Sequence, residues 1–318
     1  MPENKKVMGM SKPVFIAVLL GILALTIVSF LAGGIGQALF GIEFPEWLVV
    51  HQPEPHLPPS AIFHIGGLAV TNTMFTAWIS IALLTGLFWA ATRRMKLVPG
   101  RFQAAAESVI GYLYDFCTDI AGEKNGRKFF PLVATIFLFV ITNALMNLIP
   151  GYNSILIGEA GHQTHLLRGA NTDVNFPLAL AVISFVMVEY WGLKSVGVFH
   201  YLGKFFNFGP FIHSIRHFRK EGVMGVFNGL IAIFIGLIEL MAEFIRIISF
   251  TFRLFGNMTG GEILLVSMLF LMPFLLALPF YGLELLVGFI QALIFAGLTL
   301  VFAHIAVTPH TGEASEHH

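Results

Sequence analysis

Residues Leu271–Gly282 read LMPFLLALPFYG and place two prolines in the middle of a run that is otherwise almost wholly apolar from Val223 to Val307. Proline lacks the N–H that a helix interior needs, and its ring clashes with the preceding turn, so Pro273 and Pro279 bracket a turn between two helices. The piece before that turn, Met224–Met272, would be roughly 70 Å long as one helix, more than twice the hydrocarbon thickness of a bilayer. The piece after it, Phe280–Val307, also exceeds an upright span. A long hairpin, steeply tilted or bent, is therefore expected at this end of the chain.

Working outward, apolar runs of helical membrane-span length lie at Val14–Phe40, Met74–Ala91, Phe130–Ile149 and Phe176–Leu193. The chain has 318 residues, 56% of them hydrophobic and only 11% charged. Its mean hydropathy is +0.81. These values predict an all-α polytopic membrane protein with about five to six membrane helices. A segment rich in acids and apolar residues, Gln103–Ile120, reads as an amphipathic helix lying along the inner surface. The formal net charge is zero, which points to no nucleic-acid partner. Cys117 is the single cysteine, so no internal disulfide forms, and it reads as a small buried hydrophobe.

Basic loops stay on the cytoplasmic side, and fifteen of the eighteen Lys and Arg residues obey one orientation. Lys5, Lys6 and Lys12 precede the first span. Arg93, Arg94, Lys96, Arg101, Lys124, Arg127 and Lys128 separate the second from the third, and Lys194, Lys204, Arg216, Arg219 and Lys220 follow the fourth. Only Arg168 falls outside, and Arg246 and Arg253 remain within the membrane region. Both termini are thus expected to be cytoplasmic. The resulting organisation is a basic N-terminus (1–13), a first span (14–40), an external proline-rich loop (41–73), a membrane core (74–307) and a cytoplasmic tail (308–318). The first span has the basic flank and small residues of a secretory signal, but its length favours a retained anchor. No internal repeat of the inverted-transporter kind is present.

A charge in hydrocarbon costs several kcal/mol and is kept only where it faces protein or water and has work to do. Between Val223 and Val307 the charged residues are Glu239, Glu243, Arg246, Arg253, Glu262 and Glu284. Glu239, Glu243, Arg246, Arg253, Asn257 and Gly260 fall at heptad-like steps and predict a stripe down one helix face. Glu262 lies about 180° around from Arg253 and roughly 13 Å further along. On the last helix Glu284, Gly288, Gln291, Phe295 and Leu298 keep a similar spacing, so they are expected to face the region of Glu262. Paired carboxyls in low dielectric suit proton uptake and release. An arginine between them cannot give up its proton, and its charge interrupts any water wire. The pattern reads as two proton half-paths parted by a fixed positive gate, which needs a carboxylate on a partner helix to carry the proton past it. Gly256, Gly260 and Gly261 would admit that helix closely. Glu243 with Arg246, at i, i+3, fits a structural ion pair equally well, whereas Arg253 has no acid three or four residues away.

RLFGNMTGGE, followed by a helix containing QALIFAGLTLVF, resembles subunit a of the F-type ATP synthase. The similarity extends through Met74–Asp115, TIFLFVITNALMNLIP, TDVNFPLALAV and LIELMAEFIRIISFTFRLFGN to the terminal ASEHH. It implies a proton-conducting stator subunit that is not an enzyme by itself. Its partners would be a ring of c subunits, b-type peripheral stalk subunits, the rest of the complex and the lipid of a bacterial-type plasma membrane. Arg253 would face the ring carboxylate, with Asn257 and Gln291 beside it. Glu262, Glu284 and Asn175 would belong to an outer half-channel, with Asn143 and Asn147 sharing a further position there. Glu239, Glu243 and Ser249 would line the inner one. Where relatives pair an acid with a histidine, this chain has acids at both 262 and 284, so either can be the main proton carrier. No cofactor or metal is implied.

His213 and His217 have metal-ligand spacing but no third ligand nearby, so they read as a basic surface segment. His51, His56, His64, His162 and His165 fall in outer loops, and His304 near the inner end of the last helix. Neither HExxH nor GxSxG occurs, which argues against a membrane hydrolase, and the two arginines form no voltage-sensor repeat. A self-contained channel or secondary transporter is the rival reading, and it predicts ion flux from the chain alone.

Overall fold

The computed structural model describes residues 11–41, 45, 58–149, 151–157, 164–205, 215, 218–273 and 277–308. The basic N-terminus up to residue 10, residues 42–44 and 46–57 of the proline-rich loop, the C-terminal tail from residue 309 and His51, His56, His162, His213 and His217 lie outside the described residues.

The first apolar run forms α1 (Lys12–Ala32) and a short α2 (Gly34–Phe40), so it breaks at Gly33 rather than running through to Phe40. The break has a packing cause. A side-chain carbon on Gly33 would overlap the Leu271 carbonyl oxygen, and one on Gly34 would strike the Phe270 ring. The elbow thus sits against the end of the long helix that precedes the proline turn, while most of α1 is exposed.

The loops before α3 and before α5 carry more structure than their composition indicates. β1 (Ala61–Ile65) and β2 (Leu68–Thr71) form an antiparallel hairpin. Its Gly66–Gly67 turn has φ 55° and 87°, the left-handed pair that a tight two-residue turn demands. Thr71 then caps α3 (Asn72–Thr92), its hydroxyl accepting from the Met74 N–H at 3.3 Å. A second small hairpin, β3 (Leu156–Ile157) with β4 (Thr164–His165), precedes a 3₁₀ turn at Ala170–Thr172.

Helix α4 (Arg101–Asn147) is two helices merged across Gly122, whose φ of 74° and ψ of 159° only glycine adopts readily. The segment before the break contains the expected amphipathic helix and buries Leu113, Cys117 and Ala121 at intervals of four. The segment after it contains the expected third span. α5 (Asn175–Val196) ends at Gly197, α6 (Val198–Phe205) follows, and α7 (Phe218–Leu271) runs unbroken for 54 residues. That length is about 80 Å at 1.5 Å per residue. α8 (Leu278–Val307) starts with Pro279 in its first turn, where the missing N–H costs nothing.

Among the described residues, six helices are long and apolar enough to cross a membrane. The core joins Phe129, Val133, Ile136 and Val140 of α4 to Phe250 and Leu254 of α7 and to Phe295 and Leu300 of α8. α8 is the hub. Its small residues Gly288, Ala292, Ala296, Gly297 and Ala303 are all buried, which permits the close helix contacts that hold membrane bundles together where lipid supplies no hydrophobic drive. Its main partners are α4 and α5, so the proline hairpin is only loosely zipped along its own seam. Ser184 and Thr299 share a buried hydroxyl hydrogen bond of 2.8 Å across α5 and α8. The chain is an all-α polytopic membrane protein, with two small β-hairpins among its described loop residues.

Candidate functional site

The middle of α7 presents Arg253 half-buried at the edge of an exposed face. Its Nη2 donates to the Ser249 hydroxyl one turn earlier at 3.2 Å, and the guanidinium carbon stands 5.7 Å from the centre of the Phe250 ring. Among the described residues no acid forms an ion pair with it. One turn further on, Asn257 Nδ2 donates to Gln291 Oε1 of α8 at 2.6 Å. Gln291 is 2% exposed, and its Nε2 has no hydrogen-bond partner among the described residues. Gly256 and Gly260 lie on the same open side, where an added side-chain carbon would meet nothing within 4 Å. A cation, an amide and two bare stretches of backbone thus form one accessible strip.

The expected stripe does not continue straight to Glu239. Glu243 is 4% exposed and turns into the bundle, where its carboxylate meets Arg246 Nη1 at 2.6 Å. Arg246 in turn stacks on the Phe302 ring of α8 at 3.7 Å. The ion-pair reading of those two residues is the one observed. Seven residues fall about 20° short of two helical turns, and the ten from Glu243 to Arg253 fall about 80° short of three, so Arg253 emerges on a different side from Glu243. Glu239 is half-buried and engaged.

Two residues without a periodic signal complete this end. Tyr201 of α6 donates a hydrogen bond to Glu189 of α5, with the Glu243 and Arg246 charges close by. Burial, then these acids, push the Tyr201 phenol far above its ordinary value. Gly192 makes room for its ring, since a side-chain carbon there would lie 2.6 Å from it.

At the other end of α7 the loop before α5 does not stay in solvent. Arg168, Ala170, Asn171, Thr172 and Asp173 are all buried, and the 3₁₀ turn inserts among α3, α4, α5 and α7. Arg168, expected as the one external cation, is 7% exposed. Its Nε lies 3.5 Å from Glu262 Oε2, its Nη1 donates to the Pro58 carbonyl at 3.3 Å, and its backbone N–H donates to Thr76 Oγ1. Asn147 packs 3.2 Å from the position of a side chain on Gly169, and its Oδ1 is buried without a hydrogen-bond partner among the described residues. Asn175 opens α5 with its Nδ2 and N–H both donating to Asp173 Oδ1, whose Oδ2 accepts from Thr73 at 2.9 Å. Asn143 is committed elsewhere: its Oδ1 accepts from Ser80 at 2.9 Å, and its Nδ2 donates to the Phe139 carbonyl of its own helix.

Glu284 is 5% exposed on α8, with its carboxyl lying on the backbone of Gly261. Gly261 therefore serves this contact, while the backbone at Gly256 and Gly260 stays open. Glu284 and Glu262 are brought to neighbouring positions, Glu284 against residue 261 and Glu262 next along the chain. Thr73, Asp173, Glu189 and Tyr201 escaped the sequence reading, because each acquires its polar surroundings from a different element.

A family model described as ATP synthase A chain matches residues 74–304. Proteins named ATP synthase subunit a are similar over most of their length. That of Geotalea daltonii is 33% identical over 249 residues, 77% of this chain and 90% of its own. That of Moorella thermoacetica is 28% identical over 247 residues, 78% of this chain and 95% of its own. That of Solidesulfovibrio magneticus is 32% identical over 241 residues, 76% of this chain and 85% of its own. The matched region begins within α3 and ends within α8, and so takes in Arg253, Glu262, Glu284 and the inserted loop: the chain belongs to the ATP synthase A chain family, subunit a of the F-type ATP synthase.

Proposed function

We propose that this subunit is the proton-conducting stator of the rotary motor, with two offset half-channels that meet a ring of c subunits on either side of Arg253. The observation that carries the proposal is a half-exposed guanidinium with no acid partner among the described residues, on a strip opened by Gly256 and Gly260, while acids lie enclosed on either side of it along the same helix. A ring carboxylate arriving protonated from the outer side passes Arg253 only after giving or taking a proton, because arginine relays none. Its fixed charge blocks a direct leak, and net flow requires rotation. Glu262, Glu284, Asn175 and Asn147 serve the outer half-path. Glu239, Glu243 and Ser249 serve the inner one, and Asn257 with Gln291 brace the strip beside the arginine. Asn143, held between α3 and α4, has a structural share in the outer wall.

The subunit sits in a bacterial-type plasma membrane with both termini cytoplasmic, against the c ring and b-type stalk subunits. The basic segments between the second and third spans and after the fourth support this orientation. The test is Arg253→Ala in inverted vesicles: the complex assembles and hydrolyses ATP, but ATP-driven acidification is lost. Normal pumping by that variant overturns the proposal, as does steady proton flux through the purified chain alone in liposomes, which a self-contained channel predicts.

A further inference from the structure

The two outer acids are chemically alike but differently placed. Glu262 faces a permanent cation, and the pair is enclosed, its side chains 9% exposed for Arg168 and 17% for Glu262. The arginine is itself held on three sides, by Glu262, by the Pro58 carbonyl and, through its own backbone, by Thr76. It cannot swing away without abandoning those contacts. Glu284 is buried against the backbone of Gly261 and makes no ion pair among the described residues.

Among the described residues, β4 places the titratable His165 three positions before Arg168. The inserted loop brings Arg168 and Asp173, the latter engaged by Thr73 and Asn175. The turn before it brings the buried Tyr152, with its phenol near Thr76. α4 contributes Asn143, Asn147 and the small Ala144 beneath Gly288.

We propose that Arg168 is a positioning residue that keeps Glu262 as a fixed anion, and that Glu284 is the group that takes up and releases the proton in the outer half-path. This rests on the stator reading given above. Protonating Glu262 would break a buried ion pair and strand an arginine, which is costly in an enclosed site. Glu284 can change its proton without disturbing a partner, and the neighbouring anion gives an arriving proton a reason to stop there. The balance is one proton in from the outer side and one out to the ring carboxylate, with Glu262 and Arg168 unchanged.

The experiment uses the whole complex in vesicles and measures proton flux against pH on the outer side. Glu284→Gln lowers flux at least about tenfold, the scale of losing a positioned proton donor or acceptor. Glu284→His keeps a titratable group and moves the outer-side midpoint toward the histidine range, about pH 6.5. Arg168→Gln alone lowers flux and changes the outer pH profile, because Glu262 is then free to titrate. The double variant R168Q/E262Q, which removes the pair as a unit, recovers flux relative to R168Q and restores a single-midpoint profile.

If R168Q assembles poorly, the same profile measured on E262Q and on R168K decides the matter, since both retain a polar side chain at the altered site. The inference is overturned if E262Q abolishes flux while E284Q leaves it near wild type, if E284H leaves the midpoint where it was, or if R168Q/E262Q is as inactive as E284Q. These outcomes leave the Arg253 test untouched. Only pumping by Arg253→Ala or flux through the lone chain removes the stator reading itself.

Discussion

Replacing Gly288 with alanine puts a carbon where the contact between α4 and α8 has no room for one. That carbon would stand 2.8 Å from the Cβ of Ala144, whereas ordinary contact starts near 3.4 Å, so the helices must part by about 0.6 Å locally. Overpacking of this kind costs about 1–3 kcal/mol. The displacement has a functional reach, because Gly288 lies between Glu284 and Gln291 on the buried face of α8. Moving that face loosens the 2.6 Å hydrogen bond from Asn257 and shifts Glu284 off Gly261. The expected result is a lower thermal midpoint for the complex in detergent together with reduced proton flux. Ala144→Gly removes the colliding carbon at a cost of about 0.5–1 kcal/mol for a glycine inside a helix, so the double variant recovers most of both losses. The reasoning is refuted if G288A matches wild type in midpoint and flux, or if adding A144G gives no recovery.

Arg246→Met leaves Glu243 enclosed without its arginine and lowers stability by about 3–5 kcal/mol, while removing both charges with E243L/R246M restores most of it; a thermal double-mutant cycle measures the coupling. Gln291→Leu deprives Asn257 of its acceptor, costs about 0.5–1.5 kcal/mol and slows proton flux more than that small loss of midpoint would suggest. Gly256→Ala, with open space around the new carbon, leaves the thermal midpoint unchanged or raises it by up to about 1 kcal/mol of stability, yet slows coupled pumping because the strip beside Arg253 has narrowed.

How much of this could be read in the chain follows from the range over which each signal acts. Hydrophobic runs and prolines act locally, and the helices around Met74–Ala91, Phe176–Leu193 and the proline turn fall where those runs place them. The isolation of Arg253 was legible too, because it depends only on the absence of acids one turn away. The fate of Arg168 was not. A basic residue in an outer loop carries no mark that the loop will insert between four helices, and its partner lies 94 positions away. Gly261 and Gly256 look interchangeable in GNMTGG, yet one meets a carboxyl and the other empty space, a difference set by where α8 docks. The hairpin turn at Gly66–Gly67 was a local signal that went unread amid the surrounding prolines.

Arg253 also bears on how the protein is made. Within the described chain its guanidinium is steadied by one hydroxyl and one ring and otherwise looks outward. A copy inserted ahead of its neighbours turns that group toward acyl chains, and the cheapest relief is to pull water and headgroup phosphates down into the leaflet, thinning it. An orphan copy is thereby a local defect in the bilayer that docking repairs, which gives biogenesis a physical reason to coordinate insertion with assembly and gives quality control a feature by which to single out the unassembled chain.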